Sequence, residues 1–148
     1  MLKVLFSLIL ILIFNISLKA EETEYFLMLK YDKVNVRYGP SRDDQIKFVY
    51  KKKYLPLKIT DKKENFRKII DHKNNSGWIH RSQLKSVNSL IILEDKIMFK
   101  KNSLYSKPLV KLKKGKLVLI KKCKDNWCQV KANQHTGWLR TKNVWGLD

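Results

Sequence analysis

The sequence predicts an all-β protein in which one small module occurs twice. Two short frames match in their order of residue types, Ser76–Arg81 (SGWIHR) and Thr136–Thr141 (TGWLRT). A polar residue followed by a large aromatic one precedes each frame at nearly the same distance, as Asn65-Phe66 in the first copy and Asn126-Trp127 in the second. Paired landmarks at a matching offset indicate an internal repeat. We therefore expect two copies of one β-rich unit.

Alternating apolar and polar residues predict short strands. Residues 34–37 read VNVR, and residues 55–59 read LPLKI. Successive side chains of a strand point to opposite faces, so such alternation favours half-buried strands. Gly39 and Pro40 supply a turn after the first of these runs. No segment beyond residue 20 has a sustained helical period, and closely spaced strands and turns are typical of a small barrel or sandwich.

The N-terminus has the order of a secretory signal peptide. Residues 2–18 are almost wholly apolar with Lys3 near the start, and the small residue Ala20 precedes the acidic pair Glu21-Glu22. We predict a signal peptide over residues 1–20, cleaved after Ala20. An uncleaved anchor is the alternative, because the apolar run is only slightly shorter than the ~20 residues that span a bilayer. Both interpretations deliver the rest of the chain outside the cytoplasm.

The two cysteines predict a disulfide. Cys123 and Cys128 flank a polar segment that suits the turn of a hairpin. Because thiols tend to oxidise outside the cytoplasm, we expect a bond that clamps this hairpin and contributes about 2 kcal/mol. A zinc pair with His135 is disfavoured, because a structural zinc site needs four ligands. The sequence predicts neither a metal nor a cofactor.

Length predicts two very small units. Removal of residues 1–20 leaves 128 residues, which we divide into a first unit over 21–88 and a second unit over 89–148. Val87, Asn88 and Ser89 form the short connection. Units of about 60 residues are marginally stable alone, so packing of one unit on the other is expected.

The charge is strongly basic. Lysine and arginine exceed the acidic residues by 19, and such a field attracts polyanions. Anionic lipids and the carboxylates of cell-wall peptides are candidates, whereas nucleic acid is less plausible for an exported chain. Compositional bias is the alternative, since only five of the 32 basic residues are arginine.

Three segments of the first unit, Val34–Ser41, Leu55–Leu57 and Ser76–Ser82, resemble the motifs of bacterial SH3-like domains of envelope proteins. The second unit, with Cys123–Cys128 and Gly137–Arg140, is similar to the second domain of the secreted tandem branch of that family. It lacks the opening motif of the first unit. The resemblance implies two tandem SH3-like β-barrels that serve as non-catalytic binding or targeting modules, often credited with recognition of cell-wall peptide.

The candidate ligand-binding residues lie in the first unit: Asn35, Arg37, Tyr38, Tyr54 and Trp78. Each has a structural alternative. Asn35 could hold a turn, and Arg37 could pair with Asp71 or Asp32. Tyr38, Tyr50 and Tyr54 are expected to be exposed aromatics near basic residues.

The remaining motif residues are interpreted as structural: Gly39, Pro40, Gly77, Trp127, Gly137 and Trp138. Gly39 and Gly77 meet backbone requirements. Trp78 and Trp138 are expected first in the core, because each can bury a large apolar area, and second as aromatics that line a groove.

No residues form a recognisable catalytic frame, and His72, His80 and His135 are interpreted as ordinary surface histidines. The sequence thus predicts a periplasmic or secreted, non-enzymatic module with no membrane span after cleavage. Its expected partner is cell-wall peptide or an envelope protein. The alternatives are a generic binder of anionic surfaces and a regulatory partner of a separate cell-wall hydrolase.

Overall fold

The computed structural model describes residues 23–147, and within them every element is a β-strand except one short 3₁₀ helix at Arg81–Gln83. The all-β prediction is confirmed. The predicted signal peptide and its cleavage after Ala20 lie outside the described residues.

Each half of the chain supplies seven strands. Those of the first unit are β1 (Tyr25–Leu29), β2 (Val34–Arg37), β3 (Ile46–Tyr50), β4 (Pro56–Lys63), β5 (Phe66–Ile70), β6 (Ser76–His80) and β7 (Leu84–Ser86). Those of the second unit are β8 (Ser89–Ile92), β9 (Lys96–Phe99), β10 (Pro108–Leu112), β11 (Leu117–Lys124), β12 (Trp127–Ala132), β13 (His135–Arg140) and β14 (Val144–Trp145).

The two sheets have the same strand order. The first runs β3-β2-β6-β5-β4-β1-β7, and the second runs β10-β9-β13-β12-β11-β8-β14, which is the same order advanced by seven strands. All pairings are antiparallel. The predicted tandem repeat is therefore confirmed at the level of topology. Each sheet surrounds a core of its own. Within residues 23–147, the two outer strands of a sheet, β3 and β7 in the first unit and β10 and β14 in the second, are not hydrogen-bonded to each other.

The two repeated tryptophans lie outside the cores, contrary to the first interpretation. Ile79 and Leu139 are fully buried, whereas Trp78 and Trp138, one residue earlier on β6 and β13, are only half-buried on the outer faces. Consecutive residues of a strand point to opposite faces of the sheet. Because the apolar residue after each tryptophan occupies the core, the indole must face outward.

The glycine before each tryptophan faces inward and permits close approach of the neighbouring strand. A Cβ on Gly77 would meet the Val36 side chain and would lie 2.9 Å from the Arg37 carbonyl oxygen. A Cβ on Gly137 would lie 2.7 Å from the Phe99 carbonyl oxygen. The same steric demand therefore explains the Gly-Trp pair in both units.

Strand β8 joins the two cores. Leu90 and Ile92 pack in the core of the second unit, whereas Ile91 between them packs in the core of the first. Ser89, which the sequence analysis placed in the connection, begins this strand and is fully buried; its hydroxyl donates a hydrogen bond to the carbonyl oxygen of Tyr54. A strand buried on both faces leaves little freedom between the units.

The C-terminal strand β14 completes the contact. The Trp145 indole N–H donates to the Pro56 carbonyl oxygen at 3.0 Å, and its ring meets Phe26 edge to face with centroids 5.2 Å apart. Gly146 has a φ of 114°, and a Cβ there would lie 3.0 Å from the Pro56 side chain. The second unit thus places its last tryptophan against the first.

The predicted disulfide is confirmed. Cys123 on β11 and Cys128 on β12 are direct cross-strand partners and are bonded to each other. Asp125 in the turn between them has a φ of 52°. The hairpin is therefore closed by both its ladder and a covalent bond.

The double substitution Cys123→Ser with Cys128→Ser should lower the free energy of unfolding by about 2 kcal/mol, because the unfolded chain regains loop entropy. Urea unfolding monitored by tryptophan fluorescence measures the change. Addition of a reductant should reproduce the loss in the unmodified protein and have no effect on the variant. Equal stability of oxidised and reduced protein would contradict this prediction.

Candidate functional site

The outer faces of β2, β5 and β6 meet on one side of the first unit. Val34 and Val36 point into the core, so Asn35 and Arg37 point outward from β2. Arg37 lies opposite Trp78 of β6, and His80 of β6 lies opposite Phe66 of β5. These three strands therefore form a continuous surface in which polar, cationic and aromatic side chains are neighbours.

A pocket of about 390 Å³ lies on this surface. We call it the cationic pocket. Its lining residues are Lys33, Asn35, Arg37, Arg42, Phe66, His80, Ser82 and Gln83. Asn35 and Arg37 were predicted from the sequence, and the other six were not. Lys33, Arg42 and Gln83 flank a motif segment, and Phe66, His80 and Ser82 lie within one. Only the pairing of β2, β6 and β5 brings them together.

The pocket is electropositive. Lys33, Arg37 and Arg42 contribute three cations, and none of the lining residues is acidic. Desolvation first, and then the charges of Arg42 and Arg81, lower the pKa of His80. Since cations already crowd this surface, an anionic group would be attracted to it.

Arg37 holds the loop that carries Arg42. Its Nη1 donates to the Asp44 carbonyl oxygen at 2.7 Å, so the predicted pairing with Asp71 or Asp32 is wrong. The Tyr38 amide donates to the Gln45 carbonyl oxygen at 3.1 Å and closes the same loop. The arginine therefore has a positioning role in addition to its place in the pocket.

His80 and Ser82 are linked by a local capping interaction. The His80 Nδ1 accepts from the Ser82 backbone amide at 3.3 Å and lies 2.7 Å from the Ser82 hydroxyl oxygen. Because Nδ1 acts as the acceptor, the neutral ring carries its proton on Nε2, where it can serve as a donor. Phe66, only 6% exposed, packs edge to face against the same imidazole at 5.2 Å and forms an apolar wall.

The other three candidate ligand-binding residues do not line the pocket. Tyr38 is 64% exposed, with the Lys47 ammonium 5.6 Å from its ring centroid. Tyr54 is half-buried at the junction between the units, where its carbonyl accepts from Ser89. Trp78 is half-buried beside the pocket. Thus the structure brings Asn35 and Arg37 together and leaves these aromatics outside.

Tyr50 is not an exposed aromatic, and that expectation is wrong. It packs against the core of the first unit, and its hydroxyl donates to an Asp71 carboxylate oxygen at 2.9 Å. Burial first, and then the nearby charge of Asp71, raise the pKa of Tyr50. Its role is therefore structural.

The second unit does not repeat the pocket. Its loop after β9 is closed like the loop after β2, since the Lys100 amide donates to the Lys107 carbonyl oxygen at 2.9 Å. This correspondence aligns Asn35 with Ile97, Arg37 with Phe99 and Arg42 with Leu104. At three positions that line the pocket, the second unit therefore has an apolar residue where the first has a polar or cationic one. A different pocket of about 380 Å³ lies beside the disulfide.

Within residues 23–147, no group of three or more His, Cys, Asp and Glu side chains is arranged to hold a metal ion. The disulfide uses both thiols that the zinc alternative required. No helix among the described residues is long and apolar enough to cross a membrane.

One comparison with known proteins identifies a family. The sequence model described as the bacterial SH3 domain matches residues 30–86 and 97–146. No curated protein matches the chain.

Two solved structures from Trichomonas vaginalis, NlpC2 and NlpC1, are among those similar to this chain. NlpC2 has 12% identity and a TM-score of 0.39, with 83% of this chain and 48% of that chain covered. NlpC1 has 11% identity and a TM-score of 0.37, with 85% of this chain and 47% of that chain covered. This chain therefore spans about half the length of these structures.

Proposed function

The chain belongs to the bacterial SH3 domain family, and from that premise we propose that it is an exported, non-catalytic module whose first unit binds cell-wall peptide through a carboxylate group. An envelope protein that presents a carboxylate at a chain end would satisfy the same chemistry. The cationic pocket is the observation that carries this proposal.

The composition of the pocket suits the end of a peptide. Arg37 and Arg42 can donate charge-assisted hydrogen bonds to a carboxylate, and the protonated Nε2 of His80 adds a neutral donor. Asn35 and Gln83 offer amide groups for a peptide backbone, and Phe66 provides an apolar wall. A volume of about 390 Å³ is at the small end of ligand pockets, so it suits a few residues.

Export is supported by the disulfide, because disulfides persist mainly outside the cytoplasm. A bacterial SH3 domain combined with a disulfide is consistent with an extracytoplasmic protein. In this proposal, residues 1–20 direct export and are then removed, so the mature protein is periplasmic or secreted.

The chemistry of the pocket favours binding over catalysis. The Ser82 hydroxyl contacts the His80 Nδ1, but the same Nδ1 accepts a hydrogen bond from the Ser82 backbone amide and thereby caps the 3₁₀ helix. A nucleophile and its base ordinarily require a third group that orients the base, and no acidic residue lines the pocket. Turnover of purified cell wall that is abolished by His80→Ala or His72→Ala would overturn the non-catalytic assignment.

Co-sedimentation with purified cell-wall sacculi across a salt series tests the proposal. The protein should be retained at high salt, and Arg42→Gln should weaken retention by about tenfold, because a charge-assisted hydrogen bond is lost. Lys51→Gln is the matched control: it removes one exposed charge of the same unit outside the pocket. A short wall peptide should compete with its carboxylate free and fail to compete once amidated.

The alternatives give different results. Binding by charge alone predicts that both variants weaken equally and that retention disappears at high salt. A regulatory partner of a separate hydrolase predicts no retention on the bare wall at any salt.

A further inference from the structure

The loop between β9 and β10, residues 100–107, presents apolar side chains to solvent. Leu104 is 56% exposed and Tyr105 is fully exposed at 102%. Ile97, which lies on the outer face of the adjoining strand β9, is 47% exposed. Leu104 and Tyr105 therefore form an apolar tip on a strongly basic protein.

Hydrogen bonds hold this 100–107 loop in a defined shape. The Lys100 amide donates to the Lys107 carbonyl oxygen at 2.9 Å, and the Lys101 amide donates to the Ser106 hydroxyl oxygen at 2.9 Å. The Ser106 amide in turn donates to the Ser103 carbonyl oxygen at 3.1 Å. The apolar tip therefore projects from a closed base and is exposed as part of an ordered loop.

Lysines surround the apolar tip. Lys100, Lys101 and Lys107 at the base of the loop are exposed. The segment 96–124 holds eleven lysines and no acidic residue. Glu94 and Asp95, which come just before this segment, pair with Lys96, Lys111 and Lys113. The loop thus combines an apolar end with the cationic base that Lys100, Lys101 and Lys107 supply.

The corresponding loop of the first unit shows that the fold does not require such a tip. Both loops are closed by equivalent backbone hydrogen bonds, but Leu104 and Tyr105 stand where the first unit has Arg42 and Asp43. Since the same scaffold accepts charged residues of both signs, closure of the loop does not require the apolar pair.

We propose that the 100–107 loop docks the second unit onto an anionic lipid surface. Leu104 and Tyr105 enter the headgroup region, where an amphipathic aromatic ring is favoured, and the lysines at the base contact lipid phosphates. Charge complementarity selects an anionic membrane as the occupant, and the apolar tip provides the part of the affinity that salt does not screen. This inference is independent of the cationic pocket in the first unit.

Vesicle co-sedimentation tests the proposal with the chain from residue 21, because strands β1–β14 and both cores lie within residues 23–147. Phosphatidylcholine vesicles with added phosphatidylglycerol should bind the protein, and pure phosphatidylcholine vesicles should not. The double substitution Leu104→Ser with Tyr105→Ser should weaken binding to anionic vesicles by about tenfold or more. The matched control is Ile46→Ser in the first unit, since Ile46 is 47% exposed and should be neutral.

Leu104→Trp supplies a second readout that loss of folding cannot imitate. It should retain or strengthen vesicle binding, and its fluorescence should shift to shorter wavelength when anionic vesicles are added, because indole enters the interface. Unchanged vesicle binding of the double serine variant would overturn the proposal in favour of charge alone. Binding to sacculi but not to vesicles, lost in the same variant, would also overturn it and place the occupant of the loop in the cell wall.

Discussion

Trp145→Ala should destabilise both units together and lower the free energy of unfolding by about 3 kcal/mol, because truncation of a packed tryptophan leaves a cavity. The indole packs against the first core, donates to the Pro56 carbonyl oxygen and meets the Phe26 ring, although its own strand pairs with β8 of the second unit. The Lys58 ammonium lies 5.6 Å from the ring centroid. Urea unfolding measures the total loss, and amide hydrogen exchange measures it strand by strand.

Trp138→Ala is the control for this prediction. Trp138 is also half-buried, but its strand pairs with β9 and β12 within the second unit. We expect Trp138→Ala to leave hydrogen exchange in β1 and β4 unchanged, whereas Trp145→Ala should accelerate it there. Equal exchange in β1 and β4 for both variants would contradict an energetic coupling of the units through β14.

Asp71→Ala should lower the free energy of unfolding by about 3 kcal/mol, because the hydrogen bonds to a buried carboxylate are lost and their donors lose their acceptor. Asp71 is 3% exposed and accepts from the Tyr50 hydroxyl, the Lys73 amide, and both the backbone and side-chain nitrogens of Asn75. These contacts hold the turn that leads into β6, and β6 carries His80 of the pocket. Thermal or urea unfolding gives the loss directly.

The pH dependence of stability provides an independent test. Burial alone would raise the pKa of Asp71, but the hydrogen bonds from Asn75, Lys73 and Tyr50 outweigh it and lower that pKa. Because the pKa of Asp71 is lower in the folded state, its contribution to the free energy of unfolding is fully present above the pKa of the unfolded state, about 4. This contribution is lost as the pH falls through the pKa of the folded state. Asp71→Ala should therefore remove part of the acid sensitivity of unfolding.

Asp61→Ala is the control for both measurements. Asp61 is exposed on β4, and the bond that its side chain accepts comes from the adjacent Lys62 amide. Its replacement should change stability by less than about 0.5 kcal/mol. A loss as large as that of Asp71→Ala would show that removal of negative charge from a cationic protein, and not loss of the buried cluster, explains both results.

The candidate site was predictable only where it depends on one strand. Asn35 and Arg37 share a face because their separation equals the period of a strand, so a local pattern placed them together. Arg42 arrives from a loop held over the sheet, and His80 arrives from a strand more than forty positions later in the chain. No local sequence pattern predicts that these residues meet Asn35 and Arg37, because their proximity follows from the pairing of β6 with β2 and β5.

The sequence by itself determined the all-β class, the repeat and the disulfide, because each depends on residues close together in the chain or on the recurrence of one short pattern. Only the tertiary structure decided which side of β6 holds the core, and hence that Trp78 faces outward while Ile79 is buried. It also decided that Ile91 and Trp145 of the second unit pack against the first core. The physical reason is that a strand pattern defines two faces, whereas the partners packed against each face are set by contacts between distant segments.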